Sequence, residues 1–117
     1  MDPERKSSGD ELTATVSQAL DFMWNKFRED IRQRARVLED AAQAAAASKL
    51  RREERAAAQA AAHKLAGTLG TFGLERGTKL ARDLENLYSS GNVADAGFAR
   101  RAGALAKEIR AIIESRK

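Results

Sequence analysis

Apolar residues recur every three or four positions along four stretches of the chain, which is the period of an amphipathic α-helix. The first stripe comprises Leu12, Val16, Leu20, Trp24, Phe27, Ile31, Leu38, Ala42 and Ala45. Asp10 is suited to cap its start. The pattern predicts either one long helix or a short separate helix that bends into a long one near Ser17. A break near Ala47 and Ser48 then precedes a second helix at about 49–72.

Two further helices complete the pattern. The third is predicted at about 74–88, and the sequence SSGN at 89–92 is the clearest loop. The inward positions of the last two helices are Leu80, Leu84 and Leu87, then Phe98, Ala102, Leu105, Ile109, Ile112 and Ile113. Short connections make consecutive helices antiparallel neighbours. The sequence therefore predicts an all-α fold, an antiparallel up-down four-helix bundle with a possible short extra N-terminal helix.

The composition agrees with one helical domain. The 117 residues include a single proline and few aromatic residues, and alanine is abundant. Residues 1–10 are polar and are interpreted as a disordered leader or the edge of an expressed fragment, with the domain at 11–117. The absence of cysteine excludes disulfides and fits a cytoplasmic location. No apolar stretch approaches the roughly 18 residues of a membrane span, so no membrane partner is expected.

The net charge of +4 arises from 21 basic and 17 acidic residues, which are interleaved along the chain. Interleaving favours solvated helix faces. The alternative is a basic helical bundle that binds an acidic partner or nucleic acid. Nucleic acid is the less favoured partner, because the basic residues do not gather on one face and the aromatic residues are not interleaved with them.

His63 is the only histidine, and it lies in the second predicted helix. At about 100° per residue, Leu65, Leu69 and Phe72 fall on the side opposite His63. The imidazole is therefore predicted to face solvent rather than the core.

The face around His63 carries unusually small side chains. Its members are Ala56, Gln59, Ala60, Gly67 and Gly70. Each glycine costs a helix about 1 kcal/mol relative to alanine, so Gly67 and Gly70 favour close approach of another macromolecule over helix stability. Tight helix–helix packing is the alternative reason for both glycines. Gly73 lies near the predicted helix end and is suited to stop it.

The chemistry open to His63 is limited. A single histidine without cysteine cannot build a metal site, so none is expected. No serine or carboxylate stands at a spacing that suggests a catalytic triad. General acid–base work or nucleophilic attack by a neutral imidazole remains, with the electrophile delivered by a partner.

The sequence HKLAGTLGTFGLERGTKLARDLE, residues 63–85, resembles the histidine-containing phosphotransfer (HPt) domain. The family pattern is His-x-Leu-Lys-Gly, a glycine ten positions after the histidine, and a later Leu-Glu. The matching residues are His63, Leu65, Gly67, Gly73, Leu80, Ala81, Leu84 and Glu85. The resemblance covers about 20–115 and implies the same four-helix bundle with an exposed histidine.

The resemblance implies that His63 is the phosphoacceptor. It would exchange a phosphoryl group with the aspartate of a receiver domain, in a response regulator or hybrid kinase. The receiver would supply Mg²⁺, and this domain would bind no cofactor. The role is a phosphotransfer intermediate rather than a stand-alone enzyme, since no ATP-binding kinase domain is present.

One departure from the family pattern concerns the lysine three positions after the histidine, which is Ala66 here. Lys64 is adjacent to His63 and is the candidate replacement, while Gln59 is placed to orient the imidazole or bond the phosphoryl group. The departure leaves open a degenerate docking module without phosphotransfer.

Two other interpretations concern the wider protein. The motif also looks like modules fused to receiver and output domains, which makes a piece of a larger chain an expectation. The phosphoacceptor domain of a histidine kinase is a further alternative, although that family usually has an acidic residue where Lys64 stands.

Overall fold

Four helices follow one another in the computed structural model, which describes the backbone of residues 3–116 and the side chains of residues 14–116. They are α1 (Pro3–Ala46), α2 (Arg52–Thr71), α3 (Glu75–Ser90) and α4 (Ala96–Ser115). Each helix packs against the one before or after it in the chain, and α1 also packs against α4. In the described part of the chain, the backbones of the diagonal pairs α1–α3 and α2–α4 do not approach each other closely. The predicted antiparallel four-helix bundle is confirmed.

The start of the chain follows the first of the two predicted alternatives. A single continuous helix runs through Ser17, so no separate N-terminal helix forms, and residues 3–10, expected to form a leader, are the first part of α1. The one proline, Pro3, stands in the first turn, where its missing N–H is not needed, and nothing after it breaks the helix. The predicted cap at Asp10 and the first apolar position at Leu12 lie outside the described side chains.

The N-terminal part of α1 extends beyond the bundle. The whole of α1 has 44 residues and spans about 66 Å at 1.5 Å per residue, whereas the 20 residues of α2 or α4 span about 30 Å. Trp24 marks the end of the bundle, because its ring packs edge-on against Phe72 and lies beneath the guanidinium of Arg116. Val16, predicted to face inward, is 59% exposed because the other helices end before they reach it.

Small aliphatic residues fill much of the core. The largest fully buried side chains are Trp24, Tyr88, Ile31, Leu38, Leu65, Leu69, Leu84, Ile109 and Ile113. Alanines complete the interior from all four helices, so neighbouring helix axes approach closely. Most predicted inward positions are buried, which confirms the apolar stripes. Within the described residues, no helix combines the length and the apolar character that a membrane crossing requires.

The turns between helices follow local chemistry. Gly73 has φ +73°, and its N–H donates to the Gly70 carbonyl while the Leu74 N–H donates to the Leu69 carbonyl. This is a Schellman ending, and it confirms the predicted stop at Gly73. The predicted loop at 89–92 is partly wrong, because Ser89 and Ser90 continue α3.

A side chain from α2 caps the C-terminal end of α3. The Arg55 guanidinium donates to the carbonyls of Tyr88 and Gly91, at 2.6 and 2.7 Å, and lies over the Phe98 ring. These carbonyls have no partner within their own helix, so the arginine satisfies them. Tyr88 is buried beside Phe98, and its hydroxyl has no hydrogen-bond partner among the described residues.

We expect Tyr88 to make the fold sensitive to alkaline pH. Burial raises the pKa of the Tyr88 phenol to about 12, above the value of about 10 in an unfolded chain. The neutral phenol is favoured in the folded state, so this stability is complete below about pH 10 and is lost as pH rises toward 12. The loss at Tyr88 should reach about 2–3 kcal/mol.

Tyr88→Phe should remove this dependence and raise stability at pH 7 by about 1 kcal/mol, because an unpaired buried hydroxyl disappears. Urea unfolding of both proteins at pH 7 and pH 11 measures both effects. Equal losses for the parent and the variant would show that Tyr88 is not the titrating group. Tyr88 is the only tyrosine, so tyrosinate absorbance reports its ionisation directly.

Candidate functional site

His63 lies in the middle of α2, on the side away from the core. Its side chain is 74% exposed, whereas Leu65 and Leu69 on the opposite side are fully buried. The helix therefore orients the imidazole toward solvent, as the helical pattern predicts. No wall of side chains surrounds the ring, so any reaction partner has to bring its own pocket.

A carboxylate from α3 holds the imidazole. His63 Nδ1 lies 2.8 Å from Oε2 of Glu85, whose side chain is 25% exposed. An ionised carboxylate only accepts hydrogen bonds, so Nδ1 carries the proton and donates it. In the neutral ring the other nitrogen, Nε2, then keeps its lone pair. The pair thus fixes both the tautomer and the orientation of the ring.

Sequence reasoning missed the role of Glu85. It found no carboxylate at a spacing that suggests a triad, because Glu85 is 22 residues from His63 and on another helix. The available clue was the match of Leu84 and Glu85 to the family pattern. Periodicity alone places Glu85 next to the buried Leu84 without showing which residue of α2 it meets.

The two glycines beside His63 have different surroundings. A Cβ added at Gly67 would meet nothing within 4 Å, so the surface next to the imidazole is open. A Cβ added at Gly70 would lie 3.3 Å from Oγ1 of Thr78, whose hydroxyl donates to the Ala66 carbonyl. Gly70 thus faces α3, where its missing side chain leaves room for Thr78. Gly67 alone fits the expected open approach.

The remaining predicted site residues make no direct contact with His63. Lys64 is exposed and Gln59 is half-buried, and neither has a hydrogen bond or ion pair among the described residues. Ala66, at the position of the family's lysine, is only 5% exposed. The structure therefore brings Glu85 to His63 and leaves both Lys64 and Gln59 free to turn toward an added group.

A groove with a mixed lining lies between α1 and α2. Met23, Phe27, Thr68 and Thr71 line it together with the charged residues Asp30 and Arg34, and its volume is about 310 Å³. Phe27, predicted to face the core, is 39% exposed, because α2 presents two threonines at this point and leaves the ring uncovered. The surface between α1 and α2 thus has both apolar and charged components.

The site combines an exposed imidazole with a supporting carboxylate. Within the described part of the chain, no group of three or more His, Cys, Asp and Glu residues could hold a metal ion. Glu85 supports the Nδ1 side of the ring, and Gly67 leaves an open surface beside it.

Comparison with known families gives a match over most of the chain. The family model described as Hpt domain matches residues 23–115, which include α2, α3, α4 and the part of α1 within the bundle. No curated protein and no solved structure matches the chain.

Removing the Glu85 carboxylate should allow the neutral His63 ring to adopt both tautomers. In Glu85→Ala, we expect the proton to exchange between Nδ1 and Nε2, because the acceptor that holds it at Nδ1 is gone. Long-range ¹H–¹⁵N NMR correlations of the imidazole measure the tautomer, and a single histidine makes the spectrum unambiguous.

The matched control is Glu108→Ala, which removes a carboxylate that pairs with Arg76 and leaves the contacts of His63 intact. It should retain the Nδ1–H tautomer of the parent. An unchanged tautomer in Glu85→Ala would contradict the assigned role of the carboxylate.

Proposed function

Because this chain belongs to the Hpt domain family, we propose that His63 is the phosphoacceptor of a phosphorelay and exchanges a phosphoryl group with the aspartate of a receiver domain. The observation that carries the proposal is the His63–Glu85 hydrogen bond, which leaves Nε2 as the available nucleophile. The 74% exposure of the ring supports access by a partner.

The exchange is a displacement at phosphorus. The Nε2 lone pair forms the N–P bond as the P–O bond of the receiver's aspartyl phosphate breaks, and the carboxylate leaves with that electron pair. The ring becomes cationic while Nδ1 keeps its proton. Glu85 accepts the hydrogen bond throughout and stabilises this positive charge. The reverse displacement passes the phosphoryl group from His63 to an aspartate.

A receiver domain is the partner whose chemistry fits. It would supply the aspartate, an acidic pocket and Mg²⁺ to neutralise developing charge at phosphorus. The net charge of +4 on this chain favours association with an acidic surface. The receiver could belong to a response regulator, a hybrid kinase or a longer chain that contains these residues.

The surface near His63 supports docking of such a partner. Gly67 leaves open space one turn after the histidine, and the groove lined by Met23, Phe27, Asp30 and Arg34 adds apolar and charged surface on the α1 side of α2. A receiver that contacts this surface would exclude water from Nε2 during the transfer.

A docking module without phosphotransfer is the second candidate. Ala66 favours it, because this residue offers no charge where the family pattern has lysine. The two candidates differ in whether label from a phosphorylated receiver reaches His63.

His63→Gln should abolish phosphoryl acceptance and keep the fold. The side chain lies outside the core, so the melting temperature should change by only a few degrees. Incubation with ³²P-phosphorylated receivers measures acceptance, and acid-labile, alkali-stable label in the parent identifies phosphohistidine. A folded variant that still takes label would overturn the assignment, and a parent without label would favour the docking module.

Gly67→Leu should separate partner access from stability. Leucine should raise helix stability by about 0.5–1 kcal/mol, yet it would stand in the path of the receiver and lower the transfer rate. Gly103→Leu is the matched control, because its Cβ also meets nothing within 4 Å and Gly103 lies beside Glu39 and Gln43 of α1 rather than on α2. Single-turnover transfer rates and thermal unfolding measure both effects. Equal rates in the two variants would show that Gly67 is not in the receiver's path.

A further inference from the structure

Two contacts fix how α3 lies along α2. The Gly70 position faces Thr78, and His63 faces Glu85. The helices run antiparallel, so each step forward on α2 matches a step back on α3. Three residues after His63 and three before Glu85 bring Ala66 opposite Arg82. Counting four residues from Gly70 and Thr78 gives the same pair, so both contacts place Arg82 opposite Ala66.

Arg82 shares one face of α3 with the two residues that meet α2. Thr78, Arg82 and Glu85 follow at i, i+4 and i+7, which is a single stripe on a helix. Arg82 is exposed and has no hydrogen bond or ion pair among the described residues. The other two cations of α3 are engaged, Arg76 with Glu108 and Lys79 with Asp83.

A phosphoryl group on His63 needs a cation that α2 does not offer on the side facing α3. The group carries close to two negative charges and three acceptor oxygens. Ala66, one turn along α2, offers only a buried methyl group. Lys64 lies about 100° around α2 from His63, on the side away from Ala66 and Gly70. Among the cations of α3, Arg82 is therefore the one that is unpaired in the described residues and shares the stripe of Glu85.

We propose that Arg82 binds the phosphoryl oxygens on His63 and supplies from α3 the positive charge that is missing at position 66. Its planar guanidinium can donate two parallel hydrogen bonds to the phosphoryl group. About one helical turn separates Arg82 from Glu85, which already reaches the imidazole, so the long arginine side chain spans the remaining distance. Arg82 thus acts on the phosphoryl group and Glu85 on the ring. The inference rests on the proposed function, since it needs His63 to carry a phosphoryl group.

The first test uses a small-molecule donor, so that it does not depend on a receiver. Potassium phosphoramidate phosphorylates His63 of the parent, and ³¹P NMR follows the titration of the phosphoryl group. In Arg82→Ala this titration should move to higher pH, because the cation that favours the dianion is gone. In Arg82→Lys the titration should return part of the way to the pH of the parent, because lysine keeps the positive charge. Purely structural support from Arg82 would not move the titration.

The second test measures transfer from a phosphorylated receiver in a single turnover. Arg82→Ala should slow transfer by about five- to tenfold, as expected for one exposed charge-assisted contact. Arg100→Ala is the matched control, with the same change in net charge on α4, whose backbone does not approach α2 closely. It should leave both the titration and the rate unchanged.

Three results would overturn the inference. They are a parent-like titration in Arg82→Ala, an equal shift in Arg100→Ala, and a shift in Lys64→Ala that Arg82→Ala does not show. Failure of the proposed function looks different. In that case no receiver transfers label to the parent, while the phosphoramidate experiment still decides whether Arg82 binds the phosphoryl group.

Discussion

The close packing of α3 against α2 is the contact on which the site depends. Small residues make it possible, since Ala62 and Ala66 are buried and Gly70 has no side chain to hold Thr78 away. The Thr78 hydroxyl reaches the Ala66 carbonyl at 3.0 Å. At this separation and register the carboxylate of Glu85 arrives at His63 Nδ1 without any loop or cofactor.

Large and long charged side chains pack at other places in the bundle, away from His63. At one end of the bundle, Trp24 and Phe72 pack edge to face, and the guanidinium of Arg116 lies over both rings. On the opposite side from the site, α1 and α4 are joined by a bidentate pair from Arg32 to Glu114. Glu39 and Arg110 form a second such pair. Long paired side chains thus lie on the side away from His63, while the space next to Gly67 stays open.

This arrangement of side chains leaves His63 on an open, convex surface. His63 has no pocket, so the fold contributes the tautomer of the ring and open access to one nitrogen. In the proposed phosphotransfer, the partner would supply the remainder of the groups that stabilise the transition state. This chain contributes an oriented imidazole, a supporting carboxylate and space beside them.

Local sequence determined the helices, the exposed side of α2 and the stop at Gly73. These features depend on residues within a few turns of one another, such as the opposition of His63 to Leu65 and the left-handed φ of Gly73. Periodicity therefore predicted the helices and the exposed side of α2, and the glycine predicted the stop. It overestimated the burial of Val16 and Phe27, because a stripe on one helix does not show how far the neighbouring helices extend.

Only the tertiary structure decided which side chains meet. Glu85 reaches His63, Thr78 fills the space at Gly70, and Arg82 comes opposite Ala66 because α3 lies on α2 in one register. That register is set by packing of small residues and by the turn at Gly73, and no periodicity within either helix encodes it. The sequence by itself determined that a histidine faces solvent, and the packing of two helices decided which of its nitrogens a carboxylate holds.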